Sequence, residues 1–159
     1  MQAFADAVAA QFFDQRESMS FGVLLDGTRN VGQMVAGLHL IDSSLRPLGI
    51  DVGRLWKGFP ISIAGLASEL CARLDQPRTF TPAEIPLIEN TYVGSRYAVP
   101  SEQGVAAIRR LAQMAGVILD PVYTGKAFAG LLDLAERGQL GADEPIIFLH
   151  TGGLPALFV

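Results

Sequence analysis

Three features of this sequence predict an α/β fold, a three-layer open and mostly parallel sheet with helices on both faces. Short apolar runs alternate with longer stretches whose apolar residues recur at helical spacing. The short runs are apolar almost throughout, instead of at every second residue, as in strands buried on both faces. Two of them, within VILDPVYTGK (117–126) and IIFLHTGGLPALF (146–158), stop abruptly at polar, Gly and Pro residues before helix-like sequence. Parallel strands deliver loops in this way at their C-terminal ends, so Asp120, Tyr123, Thr124, His150 and Thr151 are expected to converge on one edge of the sheet.

The elements follow in order. Residues 2–16 place Phe4, Val8 and Phe12 at helical spacing, so an amphipathic helix is expected there. Phe21–Leu25 reads as a buried strand. Asp26, Gly27 and Thr28 turn the chain, and Thr28 is placed to cap a helix through about His39, with Val31, Met34, Val35 and Leu38 inward. Pro47–Val52 reads as a second strand and 53–59 as a loop. A helix is expected over Pro60–Leu74, its proline in the tolerated first turn. Gln76–Pro86 contains Pro77, Pro82 and Pro86 and no periodicity, so it reads as a loop, and Leu87–Ile88 is too short to assign.

Beyond a loop over Tyr92–Pro100, Ser101 caps a helix through Met114, with Val105, Ile108, Leu111 and Ala112 inward and Gly116 ending it. A strand over Val117–Leu119, a loop to Gly125 and a helix over Lys126–Arg137 stopped by Gly138 come next. A strand over Pro145–Leu149, the HTGG loop and a short apolar helical tail complete the chain. Right-handed crossovers would join these strands.

The 159 residues suffice for one domain, taken as 1–159, with one substantial core. Half of them are apolar and 18% charged, an oily composition that suits a sheet covered on both faces or a subunit interface. No apolar run reaches the length needed to span a bilayer, and the start of the chain lacks a basic segment, so neither a membrane span nor a signal peptide is expected. The net charge of −4 with scattered basic residues argues against nucleic acid. A single cysteine, Cys71, forms no internal disulfide and suits the reducing cytoplasm. Two distant histidines and no Cys/His cluster argue against a metal site.

Three strand-to-helix loops are candidates for chemistry: 26–30, 120–125 and 150–153. Glycine turns leading into helix N–H groups make anion sites, although each glycine also has a plain backbone explanation. Asp120-Pro121 invites a turn on local grounds, because Asp bonds its own backbone and Pro presets φ. Tyr123 reads as a ring stacker, a proton donor or an ordinary half-buried tyrosine. His150 reads as a catalyst or as a hydrogen-bonded structural residue, and Trp56 and Phe59 as core or interface. Lys126 is odd, since a helix's first turn disfavours a cation; a side chain reaching back to solvent or to a carboxylate would account for it.

Taken together, DPVYTGKAFAGL and IIFLHTGGLPALF closely resemble the C-terminal part of the D-cysteine desulfhydrase and 1-aminocyclopropane-1-carboxylate deaminase family, pyridoxal-phosphate enzymes of the tryptophan-synthase-β fold type. YAVPSE (97–102) is similar to that family's tyrosine loop, and the likeness runs from about Tyr97 to Phe158. Thr124 after the tyrosine looks more like the desulfhydrase branch, the deaminases usually having Glu. The resemblance implies half of a fold-type-II cofactor domain and β-elimination or deamination of small amino acids. It casts Tyr123 and Tyr97 as catalytic. Gly27, Thr28, Asn30, Thr124, Thr151 and Gly152 are cast as cofactor-binding, with Thr124 and Thr151 near the pyridine nitrogen. A hydroxyl there does not hold that nitrogen protonated, which weakens the electron sink.

Two departures qualify the resemblance. The family's phosphate cup is rich in Gly, Ser and Thr, whereas 26–30 reads Asp-Gly-Thr-Arg-Asn, whose Asp26 repels a phosphate and whose Arg29 partly offsets it. The family's Schiff-base lysine lies in its N-terminal half, which has no counterpart here. The two lysines present, Lys57 in LWKGFP and Lys126, do not match it. Without a placed amine the chain alone is expected to be inactive, as a truncated or split product or a pseudoenzyme. The other readings are a binding module for small anions or amino acids and an interaction protein. Either way a homo-oligomer, most simply a homodimer, or a second chain supplying the absent half is expected to cover the oily sheet.

Overall fold

Four parallel strands carry the fold, in the order β3-β2-β1-β4. The computed structural model describes residues 21–25, 27–53, 58–88, 91–140, 145–150 and 152–158. The expected helix over 2–16 lies outside the described residues. In chain order the elements are β1 (Phe21–Leu25), α1 (Gly27–Leu40), β2 (Arg46–Ile50), α2 (Phe59–Arg73), β3 (Leu87–Ile88), α3 (Glu102–Ala115), α4 (Thr124–Glu136) and β4 (Ile146–Leu149). Short 3₁₀ turns stand at Pro82–Glu84 and Leu154–Leu157.

The three layers follow from strand alternation. Leu87 of β3 packs with α1 and α2 around Val31, Val35, Phe59, Ile63 and Cys71. Its neighbour Ile88 points the other way, with Leu48 and Ile50 of β2 and Ile146 and Phe148 of β4, into a second core built on Ala127, Leu131 and Leu134 of α4. Helices α1 and α2 therefore cover one face and α4 the other, with α3 packed on α4. The expected α/β class and parallel sheet are observed.

Several boundaries differ from the sequence reading. Helix α1 begins at Gly27, so Thr28 lies in its first turn and is not its cap. Helix α2 begins at Phe59, a buried core residue, behind Gly58 in the left-handed conformation. Within the expected loop 76–86, Thr81 and Glu84 form a capping box that builds the 3₁₀ turn. Leu87–Ile88 is a strand because β2 pairs with it. In α3, Ser101 caps through Gly104 N–H (3.1 Å) and Gly116 closes the helix at φ 68. Its fully buried residues are Gly104 and Ala107; Val105, Ile108, Leu111 and Ala112 are only half-buried.

The larger correction concerns Val117–Leu119, which is not a strand. No described strand pairs with it, and Val117 and Ile118 are 43% and 59% exposed while Leu119 is buried. An apolar run specifies a buried strand only when a neighbouring strand accepts its backbone hydrogen bonds. Here only Leu119 reaches the core, and the segment serves as an extended lead into Asp120.

Candidate functional site

The strand order changes direction between β1 and β4. From β1 the chain steps outward through α1 to β2 and through α2 to β3, then returns by the opposite face to place β4 on β1's other side. Ligands of open α/β sheets bind in the crevice such a reversal opens at the strands' carboxyl ends. The register pairs Leu24 with Leu149, so the start of α1 at Gly27 and the loop from His150 leave the sheet side by side.

Asp120 organises the second wall. It is 1% exposed. Its Oδ1 accepts the N–H groups of Val122 (2.9 Å) and Tyr123 (2.7 Å). Its Oδ2 accepts Thr124 N–H (2.9 Å) and the Thr124 hydroxyl (2.5 Å), and that hydroxyl in turn accepts Asp120 N–H (2.8 Å). The carboxylate thus caps the otherwise orphan donors at the head of α4, with its charge favourably placed against the helix dipole. The chain after β4 closes over this turn. Gly153, at φ 95, lies so close that a Cβ there would overlap the Asp120 carboxylate. Backbone approach of this kind joins the HTGG and DPVYTG loops.

Tyr123 and Tyr97 form a pair. Their hydroxyls are hydrogen-bonded to each other and their ring centroids lie 5.9 Å apart. Tyr123 is half-buried, and Tyr97, on the loop before α3, is exposed. A hydroxyl pair of this kind can pass a proton between two oxygens and present one of them to a ligand.

The remaining expected site residues are placed as follows. Gly27, Thr28 and Asn30 stand in the first turn of α1, and Asn30 is half-buried. Thr124 is buried and gives its one hydroxyl proton to Asp120, so its contribution is to the turn. Gly152 is exposed and a Cβ there would meet nothing within 4 Å. Thr151, Trp56 and Lys57 lie outside the described residues, and His150 is exposed at the end of β4.

Lys126 is a correction. Its side chain is fully buried (0% exposed), reaching neither solvent nor a carboxylate. The ammonium donates instead to the backbone carbonyls of Val93 (2.6 Å) and Arg96 (3.3 Å), in the loop that carries Tyr97. Burial pushes its pKa below the ordinary lysine value. The only hint in the sequence was a cation where the helix dipole disfavours one; its partners lie 33 and 30 residues upstream. Away from this rim, a cavity of about 380 Å³ opens between α3 and α4, lined in part by Tyr92, Gln103, Arg110 and Asp133. Neither Tyr97 nor Tyr123 lines it. Among the described residues no group of three or more His, Cys, Asp or Glu could hold a metal, and no helix is long and apolar enough to cross a membrane.

Comparison with known proteins gives a consistent result. The family model described as pyridoxal-phosphate dependent enzyme matches residues 34–152. D-cysteine desulfhydrase from Yersinia enterocolitica is 41% identical over 125 residues, covering 79% of this chain and 37% of that protein. The enzyme of the same name from Serratia proteamaculans is 55% identical over 67 residues, 42% of this chain and 20% of that protein. A solved structure of an ACC deaminase homologue matches with TM-score 0.77 and 32% identity, covering 94% of this chain and 45% of its own. The chain therefore spans about 37% of the length of the first of these relatives.

Proposed function

We propose, from the premise that this chain belongs to the pyridoxal-phosphate dependent enzymes and within them to the D-cysteine desulfhydrase and ACC deaminase branch, that its rim forms one wall of a cofactor site for small amino acids. The observation that carries this reading is the seating of Gly153 on Asp120, which sets the tyrosine pair beside the loop that leaves the sheet at the β1/β4 reversal.

The residues present suit part of the cofactor. The first turn of α1, with Gly27, Thr28 and Asn30, is a helix N-terminus, whose positive dipole end suits a phosphate. Gly152, with open space where a side chain would stand, allows flat approach of a ring. Bound pyridoxal phosphate supplies the electron sink for bond cleavage at an amino acid's α-carbon. The chain's own contribution is then orientation and proton handling. Asp120 holds the Tyr123 backbone through its N–H, and the Tyr123 hydroxyl exchanges a proton with the Tyr97 hydroxyl beside it.

What these residues do not suit is the covalent anchor. The Lys126 amine is buried and committed to two carbonyls, and Lys57 sits in LWKGFP, unlike the family's lysine motif. We therefore assign the anchoring amine to polypeptide equivalent to the rest of the relatives' length, which would also cover the exposed Val117 and Ile118. On this reading β-elimination or deamination of a small amino acid requires that polypeptide.

The test is a titration with pyridoxal phosphate followed through Trp56, the single tryptophan, with borohydride trapping and peptide mapping. Saturable quenching without a trapped adduct on Lys126 is expected. Turnover of D-cysteine by this chain alone, or an adduct on Lys126, would overturn the assignment. A complete lack of saturable binding would favour an interaction protein.

A further inference from the structure

We infer that Lys126 is a positioning residue, a buried latch that holds the Tyr97 loop so that the Tyr97 hydroxyl meets that of Tyr123. The inference rests on the cofactor-wall reading for its functional meaning, but the latch itself is a property of this chain without ligand.

Four observations carry it. Lys126 lies three residues after Tyr123, in the first turn of the same helix, so whatever it grips is held in register with Tyr123. It grips the loop at two points flanking Gly94, the carbonyls of Val93 and Arg96, and the second of these immediately precedes Tyr97. The stem lies against α3: a Cβ at Gly104 would stand 3.4 Å from Lys126 Cγ and from its backbone N, in contact with them, and 2.9 Å from Ser101 Oγ, the atom it would crowd. Finally, Ala98, directly after Tyr97, sits at φ 62, a region that non-glycine residues rarely adopt. Such a residue persists only where surrounding contacts over-determine it. The Arg96 carbonyl supplies two, accepting both Lys126 Nζ and Val99 N–H.

The charge argues the same way. No carboxylate among the described residues pairs with Lys126, so burial of the ammonium is compensated by carbonyl oxygens of this loop. A lysine placed only to fill space would be replaceable by Met, which has nearly the same length and no proton to donate. A latch would not.

The test uses the full chain labelled with 3-fluorotyrosine, which reports on Tyr92, Tyr97 and Tyr123, the only three tyrosines. In the unsubstituted protein Tyr97→Phe should shift the fluorine resonance of Tyr123, because it removes that hydroxyl's partner. In a Lys126→Met background the same Tyr97→Phe change should leave Tyr123 unmoved, while the Tyr92 resonance keeps its position. Persistence of the full Tyr123 shift in Lys126→Met would overturn the latch. If Lys126→Met does not fold, ¹⁵N-lysine spectra of the unsubstituted protein decide. Ammonium protons of Lys126 in slow exchange, identified with Lys57→Arg, are expected, and exchange as fast as in free lysine would overturn the proposal. Neither arm uses pyridoxal phosphate, so the latch can fail while cofactor binding holds, and the reverse.

Discussion

Asp120→Ala is the most informative single perturbation of the rim. The carboxylate accepts three backbone N–H groups and one hydroxyl, all within 2.9 Å, in a position closed to solvent. Hydrogen bonds to a charged group contribute about 1.5–3 kcal/mol each, and a buried donor left without a partner costs about 1–3 kcal/mol. The four are not additive, since the freed turn relaxes and water reaches some of it. If two donors stay unsatisfied, the loss is about 4 kcal/mol, above the usual loss of a helix cap. For a chain of 159 residues, at roughly 2.1 cal/mol/K of unfolding entropy per residue, that lowers Tm by about 12 °C. Thr124→Val removes the hydroxyl that both gives to and accepts from Asp120, and should cost about half as much; Thr124→Ser should cost under about 1 kcal/mol. Urea denaturation and calorimetry measure all three. A loss below about 1 kcal/mol for Asp120→Ala would show that the turn is specified by Pro121 and helix packing, and that the carboxylate is not its organiser.

Other predictions follow from individual groups. Tyr92 donates to Asp133 (2.7 Å), and burial, with that hydrogen bond, raises its phenol to about 12 from an ordinary 10.0. A raised folded-state pKa means stability that is fully present below pH 10 and lost as the pH climbs towards 12, so Tyr92→Phe should flatten the stability curve in that window in pH-jump unfolding. Glu84 is held near 2, chiefly by the Thr81 N–H, so its contribution is present above about 4.5 and lost as the pH falls through 2. A carboxyl-carbon NMR titration with a midpoint near 4.5 would refute the capping box. Cys71 is buried and its thiol pushed upward, first by burial and against the opposing charge of Arg78. It should react with a thiol reagent only when the chain is unfolded, so stoichiometric labelling of the native protein would contradict the core assignment.

How far the sequence reached is clearest from particular residues. The turn at Asp120-Pro121 was legible because the aspartate accepts its hydrogen bonds from Val122, Tyr123 and Thr124, all within four residues of it, a local matter. Ser101 and Gly116 were legible for the same reason: capping chemistry lies within one helical turn of the residue that performs it. Val117–Leu119 was misread because a strand is a relation between two segments, and nothing in VIL says whether a partner arrives. Lys126 was legible only as an anomaly.

From sequence alone come the alternation of strand and helix, the caps and stops, and the two loop motifs that place the chain among pyridoxal-phosphate enzymes. Those depend on spacing and side-chain type within a few residues, and spacing is what a sequence records. Tertiary structure alone decided that β4 lies beside β1, that Gly153 closes on Asp120, and that the one cation at the head of α4 is answered by carbonyls some thirty residues away. Burial and pairing across the chain depend on which surfaces meet, and that is settled only when the layers pack.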